Sequence, residues 1–235
     1  MRAHDRPVGQ AILFGGVASA ALVLGAAIGA RWSLPEHLYA VLLAFAGGAL
    51  ISALAFELFQ DAEKGGGVWL AGLGLVLGAA TFVVVDARIE GLRGSAASFG
   101  LLAAVTLDGV PENLALGVSL IEGSGYALLV AIFASNFPEA LGSASKMRDD
   151  GRSARFIMGV WLSTAILLAA SVVFGRALLG GASGGVLAVL LGFAGGAVLA
   201  SLADTVMPEA FRHGGPYVAF ATVAGFLLSY VVALE

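Results

Sequence analysis

The sequence predicts an all-α integral membrane protein with eight transmembrane helices, and three observations predict it. Of 235 residues, 59% are hydrophobic and only 12% charged, with a mean hydropathy of +0.96, whereas an ordinary soluble domain carries roughly 25% charged residues. The few charges separate apolar runs close to the ~20 residues that a helix needs to cross ~30 Å of hydrocarbon, well beyond the ~9–11 of a barrel strand. The 34 glycines suit helices whose backbones approach closely.

Taken in order, charge-free stretches run from Pro7 to Ala30, Leu38 to Phe56, Gly65 to Val85, Phe156 to Gly175, Ala177 to Ala203 and Gly214 to Leu234. Two further segments, 97–120 and 125–145, are as apolar but carry charges inside them. The expected helices are therefore about 8–30, 38–60, 66–86, 97–120, 125–145, 155–176, 183–206 and 215–234, forming a single domain over residues 1–235. Arg2 and Arg6 precede an apolar helix as they would in a signal peptide, but a charge-free run this long exceeds the usual apolar region of one. The first helix is accordingly expected to be retained.

Lys and Arg orient the chain. Loops on the N-terminal side hold four (Arg2, Arg6, Lys64, Arg176), and those on the other side hold eight (Arg31, Arg88, Arg93, Lys146, Arg148, Arg152, Arg155, Arg212). Both termini are thus expected outside, with the loop KMRDDGRSAR (146–155) in the cytoplasm. A net charge of -4, with the basic residues thinly spread, leaves no surface for nucleic acid. Zero cysteines exclude thiolate metal sites and cysteine nucleophiles.

Two internal repeats follow. LAFAGGALISALAFELFQDA (43–62) aligns without gaps on LGFAGGAVLASLADTVMPEA (191–210), and DGVPENL (108–114) aligns on SNFPEAL (135–141). Each pair falls in helices that cross in opposite directions, which predicts an inverted repeat of three helices, a central hairpin and three helices. Inverted repeats with a site near the bilayer midplane are characteristic of secondary transporters.

The intramembrane charges mark that site. Asp108, Glu112 and Glu139 lie where a bare charge costs at least ~2.5–3.5 kcal/mol. Asp108 and Glu112 share one helix face, as do Ser135 and Glu139 on the next helix. Pro111 and Pro138 are equally distant from the intervening turn, and thirteen or fourteen residues at 1.5 Å each place both ~20 Å from it, near the bilayer centre. Proline cannot donate to the carbonyl four residues back, so Leu107 and Ala134 have free C=O groups that need another partner. Facing carboxylates repel each other, and with the Asn136 amide, the Ser135 hydroxyl and free carbonyls they make an oxygen-rich nest for a divalent cation.

These residues resemble the ZIP (Zrt/Irt-like) family of metal transporters, which has eight helices, external termini and HNxPEG-type motifs in the fourth and fifth. Asp108-Gly-Val-Pro-Glu-Asn is similar to the first motif and Ser135-Asn-Phe-Pro-Glu-Ala to the second. FAGGALISALAFELFQDA from Phe45 and AGGAVLASLADTVMPEA from Ala194 resemble the family's second- and seventh-helix patterns. The resemblance implies metal contacts from Glu112, Glu139 and Asn136, with Asp108 and Ser135 at positions usually held by histidine. It places Asp204 at the seventh-helix glutamate, near the cytoplasmic end, and Glu57 at the second-helix histidine, near the outer end. Both become transport-pathway candidates.

Departures from the pattern shape the expected chemistry. His4, His37 and His213 lie in the tail or loops and are expected to be solvated, although His213 with Glu209 and Asp204 could form a release path. The sixth helix has no acidic residue where many members place a glutamate, which weakens the case for a second metal position. An all-oxygen donor set discriminates poorly between zinc and manganese or iron. GGG (65–67) and GASGG (181–185) lack the Lys-Ser/Thr of a phosphate loop, no His-Glu-x-x-His occurs, and Ser135 lacks an evident base, so no enzyme is expected.

The expectation is a Zn2+ uptake transporter, with Mn2+, Fe2+ and Cd2+ as further substrates and no resident cofactor. Its partners would be the ion and the lipid bilayer, with a homodimer compatible, and its location a bacterial plasma membrane. The alternatives are a broad-selectivity or proton-coupled cation pathway, and a membrane metal sensor or scaffold that does not transport.

Overall fold

The computed structural model describes residues 5–92, 97–123 and 125–234. The elements are α1 (Asp5–Gly29), α2 (Glu36–Ala53), a π-helical segment (Leu54–Phe59), α3 (Gln60–Gly66), α4 (Val68–Leu92), α5 (Ala97–Glu122) and α6 (Tyr126–Asp149). They continue with α7 (Ala154–Leu179), α8 (Gly184–Ser201), a second π-helical segment (Leu202–Val206), α9 (Met207–Gly214), a 3-10 turn (Gly215–Tyr217) and α10 (Val218–Ala233). No strand occurs among the described residues.

Among the described residues, six stretches are long and apolar enough to cross a membrane: Val8–Gly29, Glu36–Gly66, Val68–Arg88, Tyr126–Asp149, Ala154–Ala177 and Gly184–Ala233. The last holds α8, α9 and α10. Large apolar side chains on the perimeter, among them Ile12, Trp69, Ile166 and Phe220, are exposed. A protein of this size in water would bury such residues; in lipid they face their solvent. The chain is a multi-pass, all-helical membrane protein.

Helix ends follow local chemistry. α3 stops at Gly67, whose φ of 82° is costly for any residue with a Cβ. At the end of α6, Gly151 (φ 82°) directs its N–H to Arg148 O at 2.8 Å, and Arg152 N–H reaches Met147 O at 3.0 Å. This is the paired closure of a Schellman cap. Ser153 then caps α7 by accepting from Phe156 N–H at 3.3 Å.

Several helices outrun their expected bounds. The helix expected over 38–60 continues through its π-helical segment to Gly66, and the one expected over 183–206 continues to Gly214. Both extensions are polar and carry their own support, including a Lys64–Asp61 ion pair at 3.2 Å and an Arg212–Glu209 pair. Lys146 and Arg148, expected in a loop, form the last turn of α6. There Arg148 donates to Gly29 O (3.1 Å) and Ser33 Oγ (2.6 Å), tying α6 to the end of α1.

Packing divides the helices into two groups. α1 packs on α6 and α7, and α7 on α5; α2 packs on α10, and α4 on α8, while α9 lies against α2 and α3 against α8. Backbone-to-backbone approach at glycine concentrates inside these groups. A methyl group at Gly48 would collide with Thr222 O and one at Gly225 with Phe45 O; across the other pair, Gly196 meets Leu75 O and Gly78 meets Phe193 O. Gly48 and Gly196 are aligned positions of the longer repeat, as are Phe45 and Phe193. In the other group Gly29 meets Leu141 O and Gly175 meets Leu114 O, and Leu114 and Leu141 are aligned positions of the Pro-Glu repeat. The two π-helical segments also begin at aligned residues, Leu54 and Leu202. Contacts between the groups run instead through α2 against α6 and α5 against α8.

Candidate metal site between the two helix groups

α5 and α6 both pass through an internal proline, Pro111 and Pro138. One helical turn separates Asp108 from Glu112 and another separates Ser135 from Glu139, so each helix presents two oxygen-bearing side chains on one face. These four line a single cavity, together with Gly109 and Asn136. The opposite wall comes from the other helix group: Leu50 of α2, Val198 and Ser201 of α8, and Leu202 and Val206 of the π-helical segment. Leu50 and Val198 are again aligned repeat positions. All five expected metal-contact residues therefore meet in one place, on one helix group, facing a mostly apolar wall on the other.

The cavity has about 10 Å³ available to the centre of a water-sized particle, roughly the space one such particle needs. A hydrated divalent ion would have to shed most of its water to fit. None of the lining residues is basic. Asp108 Oδ2 accepts a hydrogen bond from Ser201 Oγ at 2.5 Å, linking the two groups across the cavity. Glu112 is only 5% exposed, and its Oε1 is buried without a hydrogen-bond partner. Asn113 donates to Gly109 O at 2.8 Å while its Oδ1 is likewise unpartnered. Ser135 donates to Ile132 O and Asn136 to Ala18 O, both at 3.1 Å. Asn136 therefore anchors α6 to α1 through its NH2 group. Glu139 is half-buried.

Among the described residues, no group of three or more His, Cys, Asp or Glu side chains is arranged to hold a metal ion as it stands. Metal contact by Asp108, Glu112 and Glu139 together would require these side chains to close further on the ion.

The two pathway candidates lie outside the cavity lining. Glu57, in the first π-helical segment, is 6% exposed. Its Oε1 accepts from Ala127 N–H at 3.0 Å and its Oε2 from Leu128 N–H at 2.6 Å, at the start of α6. Asp204 is exposed, with Thr205 Oγ1 donating to it at 3.3 Å. Of the histidines, His4 lies outside the described residues and His37 is exposed. His213, expected in a solvated loop, is instead part of α9 and half-buried, with Nε2 3.0 Å from Glu209 Oε1 and Nδ1 3.5 Å from Glu36 Oε2. The helical extension of the chain past 206 explains the difference, since Glu209 then lies one turn before His213.

Sequence reasoning did not find Ser201, which sits 93 residues from Asp108 and has no motif to mark it. The apolar wall had a usable signal, because Leu50 and Val198 occupy matching positions of the longer repeat. Asp86, near the end of α4, is also buried.

No family model matches the chain, and no curated protein matches it.

Proposed function

We propose that this protein moves divalent metal ions, zinc foremost, across a membrane toward the cytoplasm without ATP. The observation that supports this most is the convergence of Asp108, Glu112 and Glu139 on one buried cavity without a basic residue, with an unpartnered Glu112 oxygen in it. An unpaired carboxylate in that position is costly in hydrocarbon, and binding a cation offsets the cost.

In this reading eight helices cross the membrane, α2 with α3 and α8 with α9 each forming one crossing, in an inverted three-two-three arrangement like that of the ZIP family. Corresponding glycine contacts at Gly48 and Gly196, and at Gly29 and Gly175, support it. The ion sheds its water against Glu112 and Glu139, aided by Asp108, Ser135, Asn136 and the carbonyls of Leu107 and Ala134 that the prolines leave without a helical donor. Asp204 lies on the cytoplasmic side and both termini outside, in a bacterial plasma membrane. Because the carboxylates sit on one helix group and a mostly apolar wall on the other, relative movement of the two would open the cavity first to one side and then to the other.

Glu112 substitution separates transport from a structural metal site. Purified Glu112→Gln protein is expected to keep its size-exclusion profile and helicity while losing Zn2+ uptake into proteoliposomes. Loss of the fold on substitution, with no flux from the native protein, would instead support a membrane sensor or scaffold.

A further inference from the structure

The contact between Glu57 and α6 lies outside the cavity lining, and it engages both oxygens of a buried carboxylate. The first N–H groups of any helix lack intrahelical partners. α6 supplies no side-chain cap of its own, because Gly125 at its N-terminus has no side chain to offer. Glu57 fills that role from 70 residues away, one oxygen on Ala127 N–H and the other on Leu128 N–H. A carboxylate at a helix N-terminus also interacts favourably with the helix dipole.

Position gives this contact a consequence. Glu57 stands seven residues beyond Leu50 on its helix, and Leu128 seven before Ser135. At 1.5 Å per residue, each is ~10 Å from the cavity, on the side of the α5–α6 turn. Between contact and cavity lie Leu54, Ala131 and Ile132, all buried. The α2 and α6 strips meeting here belong to different helix groups, so the contact fastens one group to the other.

The opposite end differs. The repeat alignment pairs Glu57 with Thr205, and Thr205 is exposed, as are Ala203 and Asp204, immediately beside the cavity-lining Leu202 and Val206. The carboxylate contact lies over one end of the cavity, while the matching stretch of the repeat, between the lining residues Leu202 and Val206, is exposed.

We infer that Glu57 is a clasp: it holds α2 against the start of α6, closes the cavity's approach from the α5–α6 turn, and must release for that end to open. It is a positioning residue that acts through the α6 N-terminus and does not contact the ion. The inference rests on the transport reading for its purpose, but not for its geometry.

The chain has no cysteine, so single reporters can be introduced directly. Ala131→Cys and Thr205→Cys proteins, each with Glu57, Glu57→Gln or Glu57→Asp, are reconstituted in liposomes without metal and exposed to a membrane-impermeant thiol reagent on both faces. With Glu57 intact, Cys at 131 is expected to label slowly and Cys at 205 quickly. Glu57→Gln halves the acceptor capacity and Glu57→Asp shortens the reach, so both should raise labelling at 131 at least tenfold and lower it at 205. Unchanged labelling at 131 overturns the clasp. A rise at both positions also overturns it, because that is loosening of the fold and not exchange between two closed ends.

Should the Glu57 variants fail to fold, amide exchange in the native protein decides. Exchange at Ala127 and Leu128 at least tenfold slower than at Trp69 and Leu70 in the first turn of α4 supports the clasp, and equal rates overturn it. Labelling does not depend on flux: a protein that moves no divalent ion but shows the opposed labelling changes refutes the transport reading and leaves the clasp standing.

Discussion

Replacing Glu112 by methionine should stabilise the metal-free protein while abolishing its response to metal. Glu112 is 5% exposed and has an oxygen with no donor. A buried polar atom left unpaired costs about 1–3 kcal/mol. Methionine is unbranched and of similar length, so it removes that atom without creating a large void. In chelator, Glu112→Met is therefore expected to be about 2 kcal/mol more stable than the parent. For 150–250 residues the globular-protein scaling converts this to a rise of roughly 4–8 °C in the unfolding midpoint. Zn2+ at a hundred times its dissociation constant should stabilise the parent by about 2.7 kcal/mol and leave the variant unmoved. The order of stability would then close up or reverse on adding metal. Thermal unfolding in detergent, followed by intrinsic fluorescence with chelator and with Zn2+, measures all four midpoints. A variant less stable than the parent in chelator, or one that gains as much from Zn2+, would refute the reasoning.

Three further outcomes follow from the same geometry. Gly48→Ala and Gly196→Ala each drive a methyl group into a backbone carbonyl and should cost about 1–3 kcal/mol or more; Gly72→Ala and Gly159→Ala, whose added methyl meets nothing within 4 Å, should be neutral or mildly stabilising in the same unfolding assay. Ser201→Ala removes the donor to Asp108 and should weaken Zn2+ binding about tenfold in equilibrium dialysis, as loss of a ligand's supporting hydrogen bond commonly does. In competition uptake, the all-oxygen lining should let Mn2+ and Fe2+ suppress Zn2+ flux at concentrations within about tenfold of unlabelled Zn2+ itself; strong preference for Zn2+ would count against an oxygen-only site.

Uninterrupted apolar runs made the crossing segments legible, because charges are rare enough to punctuate the chain. The meeting of Asp108 and Glu112 with Ser135, Asn136 and Glu139 was legible too: short-range spacing and an antiparallel turn fix depth by counting residues. Helix ends were less legible. The helix expected to end near 60 continues through Gly66, the residue where the next was expected to begin, and stops at Gly67, where φ turns positive. The π-helical segments were invisible, since a slip of the hydrogen-bond ladder by one residue has no composition of its own. That slip contributes to where Glu57 faces, and its partners at Ala127 and Leu128 lie about 70 residues away. Long-range pairings of this kind, like Ser201 with Asp108, depend on how whole helices pack and leave no local pattern to read.

The claim that ions pass through the cavity between the α5–α6 pair and the other helix group is tested most directly by plugging it. Ser135 lines it and the chain is free of cysteine, so Ser135→Cys protein can be reconstituted with a Zn2+-sensitive dye inside the liposomes. The account predicts Zn2+ entering down its gradient before treatment, flux lost after a small thiol reagent, flux restored by reductant, and no effect of the reagent on the native protein. Flux that persists after complete modification of the cysteine would contradict it.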